Sequence, residues 1–268
     1  MTLSLAGEPM VHLRGHAGGV VEVVLDRTGS LNAISTAMAV QLTTLNAELA
    51  ADATVRAVVV TSATARAFSV GADLKERRGL TDSELLRHRD LTRAAYRSVL
   101  ELPVPAVAAV EGFALGGGCE IALACDLVVA SDTAVMGLPE VSVGVIPGGG
   151  GTQTLARRVG WSRAADLVFT ARRVEADEAY RLGLADRLVP AGEARAVALD
   201  LAAQVAANSP VGVRNAKRAM RLGLDVDLRS GLEIEDAGWR ATAFSPDRAE
   251  GLAAFAERRP PRWPGAGA

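Results

Sequence analysis

The stretch Val104-Pro105-Ala106-Val107-Ala108-Ala109-Val110-Glu111-Gly112-Phe113-Ala114-Leu115-Gly116-Gly117-Gly118-Cys119-Glu120-Ile121-Ala122-Leu123-Ala124 decides how the chain is read. Its first seven residues form a short, valine-rich apolar run, the pattern of a buried strand. Glu111-Gly112-Phe113 turns the chain, and the glycine run then opens an apolar helix from Cys119. Glycine before a helix lets backbone approach a ligand with no Cβ in the way, and the first helical N–H groups have no intrahelical acceptor. Such donors suit an oxyanion, although a glycine run serves close packing equally well. Glu120 is the discordant residue: a carboxylate inside an otherwise apolar helix needs a partner or a role, because burying it unpaired is expensive.

Outward from this segment, strand signals recur at Val20 to Leu25, Arg56 to Thr61 and Leu127 to Ala130. Ser35 opens a periodic helix to Ala51, Thr81 to Glu101 reads as a long amphipathic helix, and Ala63 to Gly71 is small and irregular. Strands alternating with helices at this spacing predict an α/β core with mainly parallel pairing, since parallel neighbours need a long crossover. A doubly wound sheet and a spiral of stacked turns both satisfy that pattern. From Ser162 the chain reads as helical at Ser162 to Thr170, Ala176 to Leu182, Glu193 to Asn208, Pro210 to Leu222 and Asp227 to Thr242, broken by a short strand at Asp186 to Val189. Ser245-Pro246-Asp247 starts a last helix to about Glu257, with proline in the first turn and an acid at the positive end of the dipole. A boundary falls near Asn208-Ser209-Pro210, and Pro260 to Ala268 reads as mostly unstructured.

A length of 268 residues predicts one main core with an appendage. Hydrophobic residues make up 49% and aromatics only 4%, so that core is built from Ala, Val and Leu, and recognition by aromatic stacking is not expected. A net charge of -2 argues against broad attraction to nucleic acid or anionic membrane. Cys119 and Cys125 match neither a disulfide framework nor a structural zinc site and read as small buried residues. Met1 to Pro9 lacks a basic region followed by an apolar run, so a soluble cytoplasmic protein is expected.

A second acid follows a punctuated turn in Gly137-Leu138-Pro139-Glu140, and Phe68-Ser69-Val70-Gly71-Ala72-Asp73 offers a second small-residue turn after an apolar strand. If the two glutamate turns meet, the chain holds a paired-carboxylate site in which amides of separate turns grip one oxygen. An acid at a helix start also simply complements the dipole. Other sites fail on their residues. Gly144 to Gly149 begins like a phosphate loop, but Gly150 stands where the lysine belongs, and Gln153 breaks the dinucleotide glycine pattern. No Gly-x-Ser-x-Gly elbow exists, and Gly160 to Ala164 reads as a helix start. His12, His16 and His88 lie outside the glycine-rich turns, the first two in loops and the third on a charged helix face.

Taken together, Ala67-Phe68-Ser69-Val70-Gly71-Ala72-Asp73-Leu74-Lys75-Glu76, the Gly112 to Glu120 segment and Leu138-Pro139-Glu140-Val141-Ser142-Val143-Gly144-Val145-Ile146-Pro147-Gly148-Gly149-Gly150-Gly151-Thr152-Gln153 resemble the enoyl-CoA hydratase/isomerase (crotonase) family. The resemblance runs from Leu25-Asp26-Arg27 and Asn32-Ala33-Ile34 to Phe255-Ala256-Glu257-Arg258-Arg259. It implies an α/β spiral of repeated ββα units over 1–208, a C-terminal helical trimerisation region over 209–259 with hexamers made of two trimers, and a flexible tail over 260–268. It also implies oxyanion donors at the N–H groups of Ala72 and Gly117, and catalytic acids at Glu120 and Glu140.

Ala72, Asp73, Leu74 and Lys75 correspond to the lining of the acyl-CoA site, with Gly117 and Gly148. Arg66 stands where a basic residue approaches the CoA phosphates, and Arg258 does so from a neighbouring subunit. The implied reaction is hydration of a 2-enoyl-CoA, with Glu120 activating water and Glu140 giving the proton. No metal or redox cofactor is called for, since coenzyme A belongs to the substrate; the partners are an acyl-CoA thioester and further copies of the chain, with neither nucleic acid nor membrane. Relatives that move a double bond manage with one acid at the position of Glu140, and others decarboxylate, dehalogenate or hydrolyse thioesters. A catalytically idle scaffold or an RNA-binding relative is the non-enzymatic alternative. The stretch Gly79 to Arg89, overlapping the start of the long helix, reads as loop-like and as the floor of the acyl pocket.

Overall fold

The computed structural model describes residues 8–265; Met1 to Gly7, on which most of the N-terminal expectation rests, and residues 266–268 lie outside that range. Two sheets run side by side through the body. The first takes strands β1 (Val11–Gly15), β2 (Val20–Leu25), β3 (Ala57–Ser62), β5 (Ala106–Val110), β7 (Leu127–Ser131) and β10 (Arg187–Val189), hydrogen-bonded in that order. The second takes β4 (Ala67–Ser69), β6 (Phe113–Leu115), β8 (Val135–Gly137) and β9 (Val174–Glu175), also in that order. One edge pair of each sheet, β1 with β2 and β8 with β9, is antiparallel, and the remaining pairs are parallel.

The strand orders choose between the two topologies left open above. Chain order is β3-β4, β5-β6, β7-β8, and each sheet takes one member of every pair in sequence, so each turn sits on the one before it. This is a spiral of ββα units. Helices α1 (Thr36–Ala51), α2 (Leu74–Arg77), α3 (Asp82–Leu100) and α4 (Gly117–Ala124) lie between the turns. Three of these starts are capped by side chains: Ser35 accepts from Met38 N, Asp73 from Lys75 N and Glu76 N, and Thr81 forms a capping box with Glu84. Because α3 begins at Asp82, the loop-like reading of 79–89 holds only up to Thr81.

Alternation along the first sheet divides the core. Val58, Val60, Ala106, Ala108, Val110 and Val128 face the spiral interior, while Ala57, Val59, Val107, Ala109 and Val129 face α8 (Ala194–Ala206). That helix presents Ala194, Ala198, Ala202 and Ala206, four apart and buried, so the backbone lies close to the sheet. Beneath it, fully buried Glu22 accepts from Arg195 through both oxygens at 2.7 Å, from Thr61 at 2.8 Å, and meets His16 at 3.1 Å. These partners outweigh the cost of burial and hold the Glu22 carboxyl at about 2.

Helices α5 (Gly151–Val159), α6 (Trp161–Thr170) and α7 (Ala176–Leu182) complete the body, and α9 (Pro210–Gly223), α10 (Leu228–Ala243) and α11 (Pro246–Glu257) form an arm. Helix α9 is tied down by Lys217, which donates to Val104 O at 2.8 Å and Asp126 at 2.7 Å, and by Arg221 on the same carboxylate at 2.9 Å. Residues 260–265 have no regular structure, yet they are held: Trp263 Nε1 donates to Ala207 O at 2.8 Å and Gly265 N to Asp247 Oδ1 at 2.9 Å. No single helix among the described residues is long and apolar enough to cross a membrane.

Candidate active site

The turns that follow β4 and β6 meet. Ile34 N donates to Gly71 O at 2.7 Å and Asp73 N to Ile34 O at 3.1 Å, a parallel bridge that leaves the N–H of Ala72 directed away from Ile34. Gly71 has φ +85, and a methyl group on it would stand 2.7 Å from Gly117 N, so the two turns touch. Gly117 opens α4, and its N–H therefore has no intrahelical acceptor. Gly116 N donates to Gly137 O at 2.9 Å, which fixes the second turn on β8.

Both glutamates arrive at this junction. Glu140, in a short 3-10 turn after β8, brings Oε1 to 3.1 Å of where a Cβ on Gly116 would lie, and its Oε2 is buried without a partner. Glu120 projects from the first turn of α4; its Oε1 accepts from Gly149 N at 2.6 Å and Gly151 N at 2.8 Å, and its Oε2 accepts no hydrogen bond among the described residues. The glycine run 148–151 is thus a cradle for a carboxylate rather than a phosphate loop. A side chain at Gly149 would strike Glu120 and Tyr96, and one at Gly151 would strike Glu120 and Leu138.

Burial and mutual charge set the protonation of the pair. Desolvation, with the Glu120 charge adding to it, pushes the Glu140 carboxyl up to about 7. Glu120 is also raised by burial, against which the two glycine amides and the positive charges of Arg89 and Arg77 act. One group carries a fixed oxygen and a free one, and its neighbour keeps its proton to higher pH than an ordinary carboxyl. That combination suits transferring protons to and from adjacent atoms of one substrate.

Of the other residues singled out from sequence, Gly148 lies here, its carbonyl accepting from Arg89. Asp73 is committed elsewhere: it caps α2 through Lys75 N and Glu76 N and pairs with Arg27 at 2.7 Å. Leu74 and Lys75 are exposed beside it. Arg66 is exposed on the β3–β4 connection, and Arg258 is exposed at the end of α11 in left-handed conformation, φ 54. The structure corrects the histidines. His12 lies on β1, 3.2 Å from Asp26, and His88 is buried rather than on the charged face. Both cysteines are buried and free, with thiols pushed up to about 12 by desolvation. No three His, Cys, Asp or Glu side chains among the described residues gather within reach of one metal ion.

Sequence patterning missed Tyr96. It is buried on α3 beneath the junction, and a methyl on Gly117 would meet its hydroxyl at 2.2 Å. The signal was present in the spacing His88, Thr92, Tyr96, one buried face of the helix. A cavity of about 700 Å³ lies away from the glutamates, where Leu102, Arg157, Lys217 and Arg221 line the space between the end of α3, α5 and α9.

Residues 15–266 match the family model described as enoyl-CoA hydratase/isomerase. The chain is 42% identical over 253 residues to a protein of Arabidopsis thaliana named probable enoyl-CoA hydratase 2, mitochondrial, covering 94% of this chain and 84% of that one. It is 41% identical over 258 residues to the mitochondrial methylglutaconyl-CoA hydratase of Mus musculus, covering 95% and 82%. Among solved structures, an enoyl-CoA hydratase from Bacillus anthracis superposes with a TM-score of 0.93 at 38% identity, covering 95% of this chain and 99% of that one. The fold is therefore the crotonase fold, two mixed sheets with C-terminal helices, and the chain belongs to the enoyl-CoA hydratase/isomerase family, whose shared chemistry is performed on acyl-CoA thioesters.

Proposed function

We propose that the protein is a hydro-lyase that adds water reversibly across the 2,3 double bond of a 2-enoyl-CoA. The observation that carries this is the division of labour between the carboxylates: Glu120 tethered through one oxygen with the other free, Glu140 buried with an unpartnered oxygen and its carboxyl pushed up to about 7. Oε2 of Glu120 takes a proton from water as the water oxygen bonds to the β-carbon. The double-bond electrons move toward the α-carbon, and negative charge builds on the thioester oxygen between the N–H groups of Ala72 and Gly117. Glu140 then delivers its proton to the α-carbon. Each amide donor is expected to supply about 3–4 kcal/mol of transition-state stabilisation. Each acid–base role supplies about 10²- to 10⁴-fold.

Double-bond migration needs one acid only, so a tethered second carboxylate favours hydration, as do relatives named as hydratases. In the same proposal Arg66, and Arg258 from a neighbouring copy, approach the CoA phosphates, and the helical arm from residue 209 joins copies into trimers or hexamers. Product analysis tests the reaction. Crotonyl-CoA incubated with the protein in D₂O is expected to yield 3-hydroxybutyryl-CoA with one deuterium at the α-carbon. A shifted double bond or free coenzyme A would contradict hydration.

A further inference from the structure

Beside the two touching turns, one buried hydroxyl has no partner in the chain. Tyr96 on α3 is 4% exposed, and its oxygen neither donates nor accepts a hydrogen bond among the described residues. A phenol buried without an acceptor is uncommon in a folded chain, and its position asks for an explanation.

Two glycines fix where that hydroxyl lies. A methyl on Gly149 would stand 2.3 Å from Cδ2 and 2.6 Å from Cγ of Tyr96, whereas a methyl on Gly117 would stand 2.2 Å from its hydroxyl oxygen and 2.8 Å from Cζ. The ring therefore spans the junction, with its stem against Gly149 and its tip against Gly117. Glu120 Oε2 lies at the stem end, 2.8 Å from the same methyl position on Gly149, and Glu140 Oε2 has no partner, so neither free carboxylate oxygen accepts from the tip. In an α-helix each Cα–Cβ bond tilts toward the N-terminus, the end from which the first N–H groups point. A hydroxyl in the Cβ direction of Gly117, the first residue of α4, thus flanks the Gly117 N–H. Burial, with the charges of Glu120 and Glu140, pushes the phenol above its ordinary 10 against the opposing charges of Arg77 and Arg89, so it remains a donor at neutral pH.

We propose that Tyr96 is a further catalytic residue, its hydroxyl donating a hydrogen bond to the thioester oxygen beside the N–H groups of Ala72 and Gly117. This role rests on the reading above that the thioester oxygen sits between those two amides. That oxygen gains negative charge as water adds to the β-carbon, so a third donor beside it acts mainly in the transition state. Glycine at 117 serves the same arrangement, because a side chain there would displace the hydroxyl.

Tyr96→Phe removes the oxygen and keeps the ring between the two glycines. Its kcat for crotonyl-CoA hydration is expected to fall at least about 10-fold, with KM changed less than about 3-fold, the signature of a contact made in the transition state. Its melting temperature should not drop, because the hydroxyl has no partner in the free chain. A readout apart from turnover is the absorption band of bound 2,4-hexadienoyl-CoA, recorded by stopped flow. That band moves to longer wavelength as donors polarise the carbonyl, and the shift should be smaller in Tyr96→Phe than in the wild type. An unchanged kcat or an unchanged shift overturns the proposal, as does a loss confined to KM or a lowered melting temperature. A wild-type shift matched by the variant leaves the amide grip standing and removes Tyr96 from it, whereas no shift in the wild type removes the grip and this proposal together. The band decides the role of Tyr96 even where crotonyl-CoA is not hydrated, so the hydratase reading and this one fail separately.

Discussion

Glu140 is the residue whose surroundings are most directly readable in solution. Its carboxyl is pushed from an ordinary 4.5 to about 7, so between those values the folded chain keeps a proton that the unfolded chain has lost. The raised value means that stability is highest below that window and falls as pH rises through it, because a buried charge must then be carried. Glu140→Gln, neutral throughout, should therefore raise the melting temperature relative to wild type more at pH 8 than at pH 5; equal offsets would show that the carboxyl is not perturbed. The proton-donor role has the same sign, and hydration should decline above pH 7 as Glu140 ionises. Both acids and the turns at Ala72 and Gly117 were legible in the sequence because glycine and proline punctuation marks them. Tyr96 was legible only as part of the buried face His88, Thr92, Tyr96 of α3; its place under Gly117 depends on a fold that brings α3 over α4, which no spacing records.

At the scale of elements, the site depends on small residues where segments cross. A methyl on Gly118 would stand 2.1 Å from Ser69 O, so Gly118→Ala must push α4 off β4. That substitution should cost at least about 1–3 kcal/mol in urea unfolding, with activity lost alongside. On the far face of the first sheet, Arg195→Met would leave Glu22 buried and short of its strongest partner. A loss of about 1.5–3 kcal/mol at pH 7 is expected. Because the folded Glu22 carboxyl lies below its ordinary 4.5, at about 2, its contribution is present above 4.5 and disappears as pH falls toward 2, so the difference between the two proteins should shrink there. The long strands β2, β3, β5 and β7 and the capped helices were predictable from apolar runs and caps. The second sheet was not: β4, β6 and β8 have three residues each, too few to show a period, and the last two sit in stretches that read as turns or were passed over. Helix α5 was hidden because its first residue continues a glycine run.

The whole molecule carries large apolar side chains outward on its helical arm and on α6: Phe244, Phe255, Leu228, Trp239 and Trp161 are exposed, the first two by 86% and 85%. Exposed side chains of this size are what a contact surface between copies would bury. Sedimentation velocity is expected to show three or six copies of the 27.8 kDa chain, with Phe244→Asp or Phe255→Asp shifting the protein toward smaller species; a wild-type monomer would contradict the arm's role. The spiral itself could not be separated from a doubly wound sheet by periodicity, since both alternate strands and helices, and the shared order of the two sheets distinguishes them. The claim on which the account depends is that two unlike carboxylates act on one thioester gripped by amides of two touching turns. The most direct measurement is kcat/KM for crotonyl-CoA hydration by the wild type, Glu120→Gln and Glu140→Gln, each with folding verified. Each variant should fall at least about 10²-fold below the wild type. Near-normal turnover in either one would contradict the account.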